Sequence, residues 1–118
     1  DEFPAFYART SGKKIEKLES AKDVVNIYQT MRELYPHPTG ILVANPVPEK
    51  DEIPFAEIEK YISAAIAEAK TKNISGKELT PFLLATLAEK TKGQSVQSNL
   101  ALLKNNVIIG AQIAKELQ

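Results

Sequence analysis

Four asparagines draw attention by their positions. Asn99, Asn105 and Asn106 fall within the last stretch of helical periodicity, and Asn45 ends a short apolar run. Asparagine is a poor helix-interior residue because its carboxamide competes for backbone hydrogen bonds. Asn99 lies close to the expected start of its helix, where free N–H groups and the positive end of the dipole suit an anion or another polar ligand. A carboxamide can also donate and accept at once. The plainer alternative is that Asn99 decorates the first turn and that Asn105 and Asn106 face solvent. Thr80 could offer a hydroxyl at a helix start, although capping accounts for it fully. His37 is the single histidine, held between Pro36 and Pro38, and with no cysteine in the chain it makes a poor start for a metal site. Glu49, Asp51 and Glu52 could bind a hard cation, but acids before a helix also offset its dipole, and that reading is preferred. Lys13, Lys14, Lys90 and Lys92 read as solvated. The P-loop, GxGxxG and GxSxG patterns are absent.

The elements that must position these residues follow from periodicity. Gly40-Ile41-Leu42-Val43-Ala44 is a continuous apolar run of the kind buried on both faces of a parallel sheet. Pro46 and Pro48 end it, since neither can donate to a ladder. In open α/β sheets ligands gather at the carboxyl ends of strands, which is where Asn45 would sit. Residues 3–9 are aromatic and could form a short edge strand. Ser20-Ala-Lys-Asp23 resembles a capping box opening a helix with Val24, Ile27, Tyr28, Met31 and Leu34 on one stripe. Pro54 suits the first turn of a second helix, with Ile58, Ile62, Ala65, Ile66 and Ala69 as its stripe, closed at Asn73-Ile-Ser-Gly76. Thr80-Pro81 reads as N-cap and first helical residue of a third, which carries Leu83, Leu84, Leu87 and Ala88 and stops at Gly93. Ser95 would cap a fourth, running through Leu100, Leu103, Val107, Ala111 and Ala114. Helices with a single strand cannot make a sheet, so either residues 3–9 pair with residues 41–44 or the other strands lie outside this chain.

The 118 residues suffice for one small domain, and 15 acidic side chains balance 15 basic ones. That balance argues against a nucleic-acid footprint or a polybasic membrane surface. Without cysteine there is no disulfide framework, zinc–thiolate site or cysteine nucleophile. The composition fits a cytoplasmic protein, and no apolar run approaches a bilayer's thickness. The chain opens on Asp1-Glu2-Phe3-Pro4-Ala5-Phe6-Tyr7, which reads as the interior of a protein and raises the expectation that something precedes it.

Taken together, four strings resemble the pseudouridine-5′-phosphate glycosidases, the family that includes indigoidine-synthesis protein A. They are Phe3-Pro-Ala-Phe-Tyr-Ala-Arg-Thr-Ser11, Gly40-Ile-Leu-Val-Ala-Asn45-Pro46-Val-Pro48-Glu49, Gly76-Lys-Glu-Leu-Thr80-Pro81-Phe-Leu-Leu84 and Ser95-Val-Gln-Ser-Asn99-Leu-Ala-Leu-Leu-Lys-Asn105-Asn106. The match is to the C-terminal portion of a longer chain. It implies that residues 1–118 are a single segment of a larger α/β glycosidase domain. Its helices would pack on a mainly parallel sheet, most of whose strands lie outside this chain, as the C-terminal part of an α/β/α sandwich. The activity implied is cleavage of the C–C glycosidic bond of pseudouridine 5′-phosphate to uracil and ribose 5-phosphate, a lyase-type hydrolase reaction of nucleotide catabolism. Such a bond has no leaving oxygen to protonate, so two carboxylates do not suffice. The family is described as using a lysine that opens the ribose and forms a Schiff-base-type adduct. A glutamate moves protons, and an aspartate holds a divalent metal, usually manganese, through water.

Those residues have no counterpart here, and Lys77, Lys90 and Lys104 are not promoted into their place. No catalytic or metal-binding residue is therefore expected in this chain. Asn99 matches the family's substrate-contacting asparagine, while Asn45, Thr80 and Asn106 match motif positions without an assigned role. The implied partners are the nucleotide substrate, the remaining N-terminal part of the enzyme and two further copies in a homotrimer, with no nucleic-acid polymer or membrane. The alternative is a non-catalytic helical interaction or oligomerisation module derived from that family.

Overall fold

The computed structural model describes residues 2–37 and 39–118. Four α-helices are present among them: α1 (Ala21–Leu34), α2 (Phe55–Thr71), α3 (Leu79–Lys90) and α4 (Gln94–Glu116), with 3-10 turns at Glu49–Asp51 and Gly76–Glu78.

Local chemistry explains most of their ends. The Ser20 hydroxyl accepts the Asp23 N–H at 3.2 Å while the Asp23 carboxylate accepts the Ser20 N–H at 2.9 Å, a complete capping box. Pro54 flanks α2 and sits one residue before it. Helix α2 closes with Ile74 N–H on the Ala69 carbonyl and Asn73 N–H on that of Lys70, and α3 closes likewise, Gly93 on Ala88 and Lys92 on Glu89. Both are Schellman closures, and both put a non-glycine residue in the left-handed region, Asn73 at φ 55° and Lys92 at φ 51°. Gly93, at φ 86°, follows Lys92 there.

Two helix starts differ from the sequence reading. Thr80 does not cap α3; the helix runs on from the preceding 3-10 turn and begins at Leu79, leaving Thr80 exposed inside the first turn. Ser95 does not cap α4, which begins at Gln94. The capping group is Thr91, whose hydroxyl accepts the Ser95 N–H at 3.0 Å and donates to the Leu87 carbonyl at 2.7 Å.

Helix α2 packs on α3, α1 packs on α4, and the short link at residues 91–93 hands α3 to α4. The core gathers Tyr7, Ile53, Ile58 and Leu87, none more than 4% exposed, with Tyr61 and Ile62 against it. The N-terminal segment contributes Tyr7 by accepting the Ile53 N–H on its carbonyl at 3.0 Å, not by pairing with residues 41–44. Its only bridge among the described residues is Glu2 with Lys14.

Residues 41–44 form no ladder among the described residues. Ile41 and Val43 line an apolar cavity of about 290 Å³ against Val24, Tyr28 and Ile113, whereas Leu42 is 83% exposed. Val43 is itself 40% exposed, so the run lacks a strand's clean in–out alternation, and no strand among the described residues pairs with it. Helix α4 departs from the periodicity reading in the same sense. Leu100, Leu103, Val107, Ala111 and Ala114 face outward, while its buried residues are Ser95 and Ser98. Periodicity locates an apolar stripe but does not say what covers it. Global measures agree. The radius of gyration is 17.3 Å, against about 13.5 Å for a compact chain of this length. The accessible surface is 8637 Å², against about 6,300 Å² for this mass.

Candidate functional site

Loop 45–53 follows the apolar run, and its prolines remove two backbone donors. Two of its carbonyls are satisfied by side chains from far along the sequence, and those of Pro48 and Glu49 by the loop's own N–H groups. Asn45 Nδ2 donates to Asn106 Oδ1 at 3.0 Å. Asn105 Nδ2 donates to the Pro46 carbonyl at 3.3 Å. Arg9 Nη1 donates to the Val47 carbonyl at 2.8 Å, and its backbone N–H donates to Glu52 Oε1 at 2.8 Å. Val47 and Ile53 are fully buried between these ties. Asn105 and Asn106 are thus engaged with the loop rather than simply solvated. Arg9 and Thr91 carry bonds that no local sequence pattern signals.

Asn99 occupies the second turn of α4, not the first, because the helix begins at Gln94. The N–H groups expected to assist it are already taken. Those of Gln94, Val96 and Gln97 reach the carbonyls of Thr91, Gly93 and Gly93, and that of Ser95 reaches the Thr91 hydroxyl. The helix terminus is therefore no anion site, and its N–H groups do not assist Asn99. That side chain is half-buried, and no hydrogen bond to it is present among the described residues. Next to it the Ser98 hydroxyl is buried without a hydrogen-bond partner. Asn106 lies seven residues on, which places it on the same helix face about 10 Å along the axis. The structure thus brings Asn45, Asn105 and Asn106 together and sets Asn99 two turns away on the same face.

The remaining candidates stand apart. His37 is exposed. Glu49 and Asp51 lie in the 3-10 turn and Glu52 is tied to Arg9. Among the described residues no group of three or more His, Cys, Asp or Glu could hold a metal ion. Lys77 and Lys104 are exposed, and Lys90 lies 3.9 Å from Glu68. Burial pushes the Tyr7 phenol above its ordinary pKa. The Glu68 carboxyl is held below its ordinary range by the hydrogen bond from Lys72, then by that residue's charge, with Lys90 adding to it and desolvation opposing.

No helix among the described residues is long and apolar enough to cross a membrane. The family model for indigoidine synthase A-like proteins matches residues 1–116. The pseudouridine-5′-phosphate glycosidase of Thermotoga petrophila is 46% identical over 118 residues, which are 100% of this chain and 39% of that one. The crystal structure of an indigoidine synthase A-like protein from Thermotoga maritima superposes with a TM-score of 0.83 at 42% identity, covering 96% of this chain and 37% of that one. The prealnumycin C-glycosynthase AlnA, crystallised with ribulose 5-phosphate, shares the fold at a TM-score of 0.81 and 21% identity, over 99% of this chain and 38% of that one. The chain spans about two fifths of the length of the relatives it matches. Its helices and unpaired run correspond to the C-terminal part of an α/β fold, and over almost its entire length the chain belongs to the indigoidine synthase A-like family.

Proposed function

We propose that residues 1–118 are the C-terminal, substrate-contacting part of a pseudouridine-5′-phosphate glycosidase, which splits the C–C glycosidic bond to uracil and ribose 5-phosphate. The names of the relatives support the activity, and the half-buried, unengaged carboxamide of Asn99 carries the part this chain would play. A carboxamide can accept from one substrate hydroxyl and donate to another acceptor, which orients a neutral sugar or base edge without adding charge. The lysine that forms the covalent adduct, the proton-handling glutamate and the metal-holding aspartate belong, in this reading, to the rest of the domain. Manganese is the metal proposed. The described residues of this chain do not fit a metal site, so no step is assigned to the metal here. A homotrimer in the cytoplasm completes the reading.

In a full-length family protein carrying residues 1–118, Asn99→Ala is expected to lower kcat/KM for uracil release by about tenfold or more, as for one lost hydrogen bond with a group left unpaired. Its melting temperature should hold within about 2 °C. A variant that melts early yet turns over normally would assign Asn99 to the helix and not to the substrate. The second reading, an interaction module without chemistry, is favoured by the outward apolar stripe of α4. Failure of the full-length protein to release uracil with manganese present would leave that reading in place.

A further inference from the structure

We infer that Asn105 and Asn106 are positioning residues that clamp loop 45–48 onto α4, with Arg9 holding the same loop from the N-terminal segment, so that the loop and Asn99 meet a substrate as one rigid unit. The inference rests on the glycosidase reading for its ligand, a neutral sugar hydroxyl or base edge, but not for its geometry.

Three successive residues are each held by one distant side chain: Asn45 through its carboxamide by Asn106, Pro46 through its carbonyl by Asn105, and Val47 through its carbonyl by Arg9. The separations are 61, 59 and 38 residues, so none of these ties arises from local folding. A loop with two prolines and no ladder has little else to fix it, and it leaves the apolar run at the end where open α/β sheets bind ligands. Neighbouring asparagines from one helix anchor it, and that helix carries Asn99 on the face shared with Asn106. The Arg9 guanidinium gives one of its five donors to a carbonyl here, which ties it to the loop.

The roles of the two neighbouring asparagines are opposite, and that separates clamp from generic polarity. Asn106 accepts, and a carboxylate there still accepts from Asn45. Asn105 donates, and a carboxylate there faces the Pro46 carbonyl with nothing to donate. The test uses a full-length family protein carrying this segment, with Asn105→Asp, Asn106→Asp and Asn106→Ala. Amide hydrogen exchange is followed at residues 47 and 49–53, and KM and kcat are measured for pseudouridine 5′-phosphate. Asn105→Asp and Asn106→Ala are expected to speed exchange in that segment alone and to raise KM about tenfold, the scale of one neutral hydrogen bond. Asn106→Asp should stay close to the parent in both. Equal behaviour of the two Asp variants, or unchanged exchange in Asn105→Asp, would overturn the clamp. Faster exchange with KM unchanged would overturn its service to the substrate. A parent protein without turnover would instead refute the glycosidase reading, with exchange still deciding the clamp.

Discussion

The α2–α3 end of the molecule and the outward face of α4 are built from similar residues and end in opposite environments. At the first, Ile53 and Ile58 are at most 2% exposed and Leu87 4%, closed over by Tyr7, and both helices finish in Schellman closures. At the second, Val96, Leu100, Leu103 and Val107 recur at alternating spacings of four and three and are 44%, 45%, 52% and 72% exposed. The spacing is as regular as in any packed helix. The difference therefore lies in what surrounds the residues, not in the residues. Soluble monomers seldom leave so continuous an apolar stripe in water. The accessible surface exceeds the usual size relation by more than about 2,000 Å², and the chain spans two fifths of its relatives, so the stripe is the part of this segment whose cover is not supplied by the segment itself.

The comparison breaks most sharply on a charge. Leu103→Asp is expected to cost a full-length family protein about 3 kcal/mol or more, as an unpaired buried charge, and to change the 118-residue chain by less than about 0.5 kcal/mol, as a surface substitution. Equal losses in the two, read by urea unfolding, would place the stripe inside this segment's own core. Ile58→Ala should behave oppositely, costing about 2–5 kcal/mol in either setting because its cavity lies within the segment. Thr91→Val removes the acceptor for the Ser95 N–H while preserving shape. A melting curve should register a loss of about 1–2 kcal/mol, the cost of leaving that N–H unsatisfied. The smallest effect is at Glu68. Its carboxyl titrates below the ordinary value in the folded chain, so folding favours the ionised form. The resulting stability is present above the ordinary carboxylate pKa and is lost as pH falls through the lowered one. Glu68→Gln should therefore show a deficit near neutrality that closes on acidification, and a deficit that persists at low pH would assign Glu68 a packing role.

What was legible in the sequence was what neighbours in the chain decide. Ser20 and Asp23 sit three residues apart, and their mutual bonds need nothing else. Gly93 likewise falls in the α3–α4 junction it is expected to mark, one residue past the left-handed Lys92. Thr80 misled because a 3-10 turn already supplies the entry to α3, and Ser95 because the capping hydroxyl is Thr91, at the end of the previous helix. Both are outcomes of how two elements meet. Residues 41–44 carry a strand's composition, but no strand among the described residues offers them a ladder. For the site, resemblance singled out Asn99, and the structure adds that its helix terminus is already satisfied. The ties of Asn105, Asn106 and Arg9 to loop 45–48 span distances across which no pattern in the sequence reaches.

The tether between Arg9 and Glu52 has a consequence for how the protein is made. It joins residues 43 positions apart, and Tyr7 reaches its core partner Ile53 over a similar span. At a synthesis rate of about 5–20 residues per second, Tyr7 leaves the ribosome about 2–9 s before the segment that receives it exists. For that interval Tyr7 is unshielded, and α1, enclosed between the two tethered ends, is complete before its surroundings are. Tyr7 and Arg9 are thus made well before residues 47–53, the segment that houses them.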